Sequence, residues 1–206
     1  MGSKKGTSME RAEGRRLLFV DTETTGLKPE EGHRVWEISM REMIGGELTG
    51  NNYHARFNPE REMDPNAQAV HGVDSSELAD CGRFGDSAQE IRDYMQDGVL
   101  VAHNSPFDVG FLNNEMRIAG HPDIDGEDGP LVGVIDTRAM SKELWPEQPA
   151  SLDNVCARLG VDTSERTKHG AEIDTLLLSQ AYVGMEAKMK ERGREADRQE
   201  DRGIDL

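Results

Sequence analysis

The residues best suited to chemistry stand in Asp21-Thr22-Glu23-Thr24-Thr25-Gly26, directly after the apolar run Leu17-Leu18-Phe19-Val20. Asp21 and Glu23 are two positions apart, and on a strand that spacing puts both side chains on one face. Two carboxylates held so close repel each other unless a cation sits between them. Oxygen ligands of this kind select Mg²⁺ or Mn²⁺. Asp-x-Glu is common, and by itself it reads as an acidic strand end. The apolar strand before it and Thr24-Thr25-Gly26 after it favour the metal reading, because small residues there let backbone N–H groups approach a substrate.

Two further groups carry chemistry. Asp108 lies in Asn104-Ser105-Pro106-Phe107-Asp108, just after a second apolar run, Val99-Leu100-Val101-Ala102. It falls in the first turn of a predicted helix, where the helix dipole favours a carboxylate. An ordinary helix-start charge would look the same. Phe107 is one turn from Phe111 and reads equally well as core, and His103 and Asn104 read as turn residues. His169 and Asp174 are five positions apart. On one helix that is about 140° of rotation, so they would not share a face. His169 therefore belongs to a loop before the last helix, and Asp174 to that helix's first turns. An imidazole with an unperturbed pKa of about 6.5 suits a general base beside a metal ligand. A surface histidine ahead of a helix is the alternative.

These groups need elements to hold them. The run ending at Asp21 reads as a central strand buried on both faces. Residues 34–44 and 47–57 flank Gly45-Gly46 and read as a hairpin, which completes a three-stranded antiparallel meander. Residues 58–80 read as irregular. Helical spacing covers 87–96, followed by a short strand over 99–102. Ser105 as N-cap with Pro106 next predicts a helix to about 119, closed by Gly120. A third buried strand is expected over 131–135, a helix over 137–144, and another over 151–159 between Ser151 and Gly160. The last helix is expected from 171 to about 190. Together this is an α/β domain with a mixed central sheet and flanking helices. Residues 17–187 would form that domain. Residues 1–16 read as a disordered basic tail, with Met9 a candidate native start, and 188–206 as a charged tail.

Composition bounds the partners. The chain has 206 residues and a formal net charge of −16, which argues against holding nucleic acid through a broad basic face. A metal site needs only a handful of the carboxylates, so the rest make a solvated acidic surface. No run approaches the roughly 20 apolar residues of a membrane span, and residues 1–16 lack the apolar core of a secretory signal. Cys81 and Cys156 are too few for a disulfide scaffold, and a buried, reduced Cys156 fits a cytoplasmic protein.

Taken in order, Phe19 to Gly26, Ala102 to Asp108, and His169-Gly170-Ala171-Glu172-Ile173-Asp174 resemble the three motifs of the DEDDh 3′–5′ exonucleases. The segments Leu48 to His54, Val70 to Val73, Ser151 to Arg158 and Arg166 to Ala171 are similar to the proofreading ε-subunit branch of bacterial DNA polymerase III. The resemblance covers residues 17–185. It implies a ribonuclease-H-like fold and two divalent cations, Mg²⁺ or Mn²⁺. Asp21 would bridge both, and Glu23, Asp108 and Asp174 would complete their coordination. His169 would deprotonate the attacking water. Thr24, Thr25, Gly26 and Leu27 would contact the terminal nucleotide, and His71, Asn104 and Phe107 would line the same pocket. The implied substrate is a single-stranded or mispaired DNA 3′ end, released as nucleoside monophosphates, with a DNA polymerase catalytic subunit as candidate partner. The alternatives are a free-standing exoribonuclease trimming RNA 3′ ends and a non-catalytic polymerase-accessory module. The five filled catalytic positions count against the last. Two departures stand out. Polymerase-bound members usually carry a long C-terminal extension, whereas here a short charged segment follows the last helix and Gln199 to Leu206 lacks the apolar pair of a clamp-binding peptide. Stable polymerase docking is therefore not an expectation of the sequence. Glu172 also puts a charge where the family often has an apolar residue, and it is expected to face solvent.

Overall fold

The computed structural model describes residues 14–166 and 170–203, with side chains as far as 198. Strand β1 (Arg16–Thr24) is followed by β2 (Val35–Ile44) and β3 (Glu47–Arg56). β2 runs antiparallel to both its neighbours, so the three strands are the predicted meander. Gly45 and Gly46 have φ of 63° and 88°. That is the type I′ hairpin turn, which needs left-handed backbone at both positions. β4 (Val99–Ala102) pairs parallel to β1, and β5 (Gly133–Asp136) pairs parallel to β4. The sheet order is β3-β2-β1-β4-β5, with β1 at its centre as its apolar run predicts.

Alternation along the central strands sorts the core into two layers. Leu18 and Val20 of β1, with Leu100 and Ala102 of β4, face helices α2 (Phe84–Met95) and α3 (Ser105–Ile118). Leu17 and Phe19, with Val99 and Val101, face α4 (Thr137–Leu144), α5 (Leu152–Leu159) and α6 (Ala171–Gly203). Both faces are apolar because both are covered, the condition that produces continuous hydrophobic runs. The same period of two carries past the core. Asp21 and Glu23 stand at odd positions and share the α6 face, while Thr22 points to α3.

The structure corrects three predicted elements. Residues 58–80 are not wholly irregular, because helix α1 (Pro65–His71) and a 3₁₀ turn (Ser75–Leu78) lie within them. Asp64 accepts from Asn66 N at 2.8 Å, Pro65 opens the helix and Gly72 closes it at φ 77°. The cap of α3 is Asn104, at φ 84°, rather than Ser105, which is already helical. Asn tolerates the left-handed region better than most residues. Its N–H donates to Asp136 Oδ1 at 3.1 Å, which ties the β4 exit to β5. Lastly, α6 does not end near 190 but continues to Gly203. Ion pairs Lys190–Glu186 and Lys188–Glu191 brace its surface. Arg192 donates to the Leu144 carbonyl at 2.5 Å and anchors the helix to α4. The basic segment over residues 1–13 lies outside the described residues.

Cys156 is fully buried in the α6-side layer, and both cysteines are free thiols. No described helix is long and apolar enough to cross a membrane.

Candidate active site

β1 delivers the first two carboxylates. Its pairing with β2 shifts register between Glu23 and Thr24, a bulge that skips Trp36 on β2 beside the acidic pair. Asp21 and Glu23 are half-buried and meet the buried Asp174 from the first turns of α6. One carboxylate oxygen from each lies within 4.8 Å of the others. Asp108 comes from the opposite layer. It is buried, and its Oδ1 accepts from Thr22 N at 3.1 Å and from Thr22 Oγ1 at 2.8 Å. Thr22, the residue between the two acids, thus holds the fourth carboxylate beside them.

The electrostatics show how much cost this arrangement carries. Burial, then the charges of Asp108, Glu23 and Asp174, push the Asp21 pKa well above the usual carboxylate range. Burial lifts Asp108 to about 7 despite its bonds from Thr22. Carboxylates forced together out of water are strained as anions. A hard divalent cation bound by their oxygens would relieve that strain. The donor set therefore fits Mg²⁺ or Mn²⁺, with Asp21, Glu23 and Asp174 to hold it and Asp108 adjacent. A bound cation there would act as a Lewis acid at a phosphate.

Asp174 is held from two sides. Arg166 donates from Nε at 2.5 Å and from Nη2 at 2.7 Å to its two oxygens. The N-terminus of α6 is fixed by Glu37 on β2, whose Oε2 accepts from Ala171 N at 3.2 Å. Glu37 is buried and also takes bonds from His54 at 2.9 Å and Arg56 at 2.8 Å. Burial raises its pKa, but those three donors outweigh burial and hold it below its ordinary 4.5. The sign follows. A depressed folded pKa contributes stability above the unfolded value and loses it as pH falls through the folded one. Glu37→Gln is therefore expected to cost about 1.5–3 kcal/mol at pH 7, measured by urea unfolding. The gap from the parent should close below the ordinary 4.5. A constant gap from pH 7 to 3 would contradict this role.

Of the sequence-predicted pocket residues, Thr24, Gly26, Leu27, His71 and Phe107 line one cavity of about 580 Å³ that reaches Glu23. Leu27 is 79% exposed at its mouth. Phe107 packs on Phe111 with centroids 4.9 Å apart, so it is both core and wall. His71 is buried against Trp36, and its Nδ1 accepts from Val73 N at 3.0 Å. Two residues take other places. Thr25 is fully buried, with its hydroxyl accepting from Arg34 N at 3.0 Å and bonded to His33 Nδ1 at 3.1 Å. It fastens the loop, and its carbonyl accepts from Asp64 N at 2.9 Å, which docks α1 onto the site. Asn104 lies on a second hollow of about 330 Å³ that it shares with Asp21, Asp174 and Arg166. His169 lies outside the described residues. Glu172 is 65% exposed, as expected. His103 is spent on structure, bonded to Thr137 and the Ala150 carbonyl, and burial lowers its pKa.

Sequence reasoning missed His33, Asp64 and Val70 on the cavity wall, and it missed Arg166. Asp64-Pro65 with Gly72 was a readable helix signature. His33 carried no local signal, because its role depends on Gly26. A Cβ on Gly26 would come within 2.2 Å of the His33 ring. Gly26→Ala is expected to cost about 1–3 kcal/mol by overpacking and to push that ring into the cavity. Urea unfolding with substrate titration checks both. An unchanged stability would mean that the ring moves freely.

Comparison with known proteins bears on this geometry. The profile of the exonuclease family matches residues 18–182. The DNA polymerase III subunit epsilon of Pasteurella multocida (strain Pm70) is 41% identical over 174 residues, covering 82% of this chain and 68% of that one. The subunit epsilon of Rickettsia conorii (strain ATCC VR-613 / Malish 7) is 40% identical over 168 residues, covering 82% and 72%. That of Escherichia coli (strain K12) is 38% identical over 174 residues, covering 82% and 71%. A solved structure described as exonuclease X in complex with 5′ overhanging duplex DNA superposes with a TM-score of 0.62 at 22% identity, over 82% of this chain and 89% of that one. It shares the ribonuclease-H-like fold. The chain belongs to the exonuclease family and is a 3′–5′ exonuclease related to the ε subunits of DNA polymerase III.

Proposed function

We propose that residues 17–187 form a two-metal exonuclease domain that removes nucleotides one at a time from single-stranded or mispaired DNA 3′ ends. The observation that carries this reading is the convergence of Asp21, Glu23 and Asp174 within 4.8 Å, with Asp108 bonded alongside. In this reading Asp21, Glu23, Asp108 and Asp174 would hold two Mg²⁺ or Mn²⁺ ions, which would supply Lewis-acid stabilisation at the scissile phosphate. His169 takes the proton from the attacking water. The 3′-terminal nucleotide enters the cavity beside Glu23, with its base against Leu27 and Phe107. The apolar wall suits a base already unpaired, because it offers stacking surface and few groups that read base edges. A net charge of −16 fits a grip confined to the metals and a nucleotide or two. The homology to ε subunits supports proofreading in the cytoplasm beside a DNA polymerase catalytic subunit.

The test is one degradation assay with Mg²⁺ or Mn²⁺ on three substrates: single-stranded DNA, a primer with a mispaired 3′ end, and single-stranded RNA. The proposal expects loss of both DNA substrates. Loss of RNA alone would overturn the DNA reading in favour of RNA trimming. No loss of any substrate would favour a non-catalytic accessory role.

A further inference from the structure

Arg166 is the residue beside the carboxylate cluster whose presence is least expected. Its side chain is 7% exposed. Its fork covers both oxygens of Asp174, and its third nitrogen, Nη1, bonds Asp153 on α5. Asp174 is also one of the three carboxylates gathered within 4.8 Å. A buried guanidinium fork and a divalent cation thus compete for the same lone pairs. They also repel each other. Lysine could not substitute fully, because it is a point charge with no fork. The same contacts pin the chain at residue 166 to both α5 and α6, three positions ahead of His169.

We infer that Arg166 is a positioning residue with two coupled duties. It serves as the counter-ion of Asp174 while no divalent cation is bound, and it clamps the chain at residue 166 between α5 and α6. This rests on the reading of Asp21, Glu23 and Asp174 as metal ligands. It makes a prediction of unusual sign. A ligand or a purely structural support, when lost, weakens metal binding and turnover together. Arg166, when lost, should strengthen metal binding and weaken turnover.

The experiment titrates Mn²⁺ into the full chain by calorimetry without DNA, and measures kcat and KM on single-stranded DNA at saturating Mn²⁺. Arg166→Gln should lower the Mn²⁺ Kd roughly three- to tenfold, up to about 1.4 kcal/mol. It should lower kcat roughly 10- to 100-fold with a smaller change in KM, the pattern of lost positioning. Its metal-free melting temperature should fall, and the rise on adding Mn²⁺ should exceed the parent's. Arg166→Lys should bind Mn²⁺ more tightly than the parent but less tightly than Arg166→Gln, and should recover part of kcat. It carries the sign test if Arg166→Gln does not fold. Asp153→Asn frees the far end of the clamp without touching a carboxylate of the cluster, so it should lower kcat with little change in Kd. Weaker Mn²⁺ binding in the Arg166 variants would overturn the inference. A parent that binds no Mn²⁺ would instead overturn the metal reading of the site.

Discussion

Asp21→Asn is expected to abolish hydrolysis and yet to stabilise the metal-free protein. The first effect should reach about 10³-fold or more, since a metal that polarises a phosphate supplies several kcal/mol to the transition state. The second follows from the same geometry. Asp21 is pushed toward its neutral form by burial and by Asp108, Glu23 and Asp174. Asparagine keeps the shape and removes one charge from that cluster. Relieving one such conflict is expected to add about 0.5–2 kcal/mol. Calorimetry in chelator should show a higher melting temperature for the variant, and adding Mn²⁺ should reverse the order, because only the parent keeps the full ligand set. A variant less stable than the parent in chelator would mean that Asp21 serves the fold rather than a cation. Sites that store repulsion for function show this opposition of stability and activity.

His169→Ala is the second large effect. A general base contributes about 10²–10⁴-fold, and kcat should fall by that amount. Mn²⁺ affinity should stay close to the parent value, because a base beside the metals is not a ligand. The pH–rate profile of the parent should rise through the titration of a single base and flatten in the variant. An equally large loss of metal affinity would make His169 a ligand and remove it from the proton-transfer step. The residue is bracketed by two fixed points, Arg166 on Asp174 and Ala171 N on Glu37. Both supports can be removed by substitutions that leave residue 169 unchanged.

The fold was legible where one signal dominated. Leu17 to Val20 and Val99 to Ala102 read as buried strands, and Gly45-Gly46 as a tight hairpin turn, and the structure has both. Thr137–Leu144 was bounded at its C-terminal end by Trp145-Pro146, and the structure adds Asp136 as its N-cap. What was missed depended on partners distant in sequence. Asp64-Pro65 was a helix start, but the short α1 lacks an apolar stripe long enough to show. Residues past 190 look like a solvated tail, yet they continue the helix, and Arg192 ties them to the α4 carbonyls. The site divides in the same way. Asp21 and Glu23 are joined by strand period, so their pairing is a sequence property. That Thr22 would hold Asp108, that Thr25 would turn inward to His33, and that Arg166 would seize Asp174 are contacts between elements, which no local pattern encodes.

The Asp21–Glu23–Asp174 cluster, with Asp108, is proposed to hydrolyse DNA from its 3′ end. The most direct measurement follows a single-stranded oligonucleotide labelled at its 5′ end in one reaction and at its 3′ end in another, with Mn²⁺. The parent and the double variant Asp21→Ala, Glu23→Ala are compared. The 3′ label is expected to leave at once as a mononucleotide while the 5′-labelled strand shortens stepwise, and both signals are expected to vanish in the double variant. Immediate release of the 5′ label, internal cuts, or activity persisting in the double variant would contradict it.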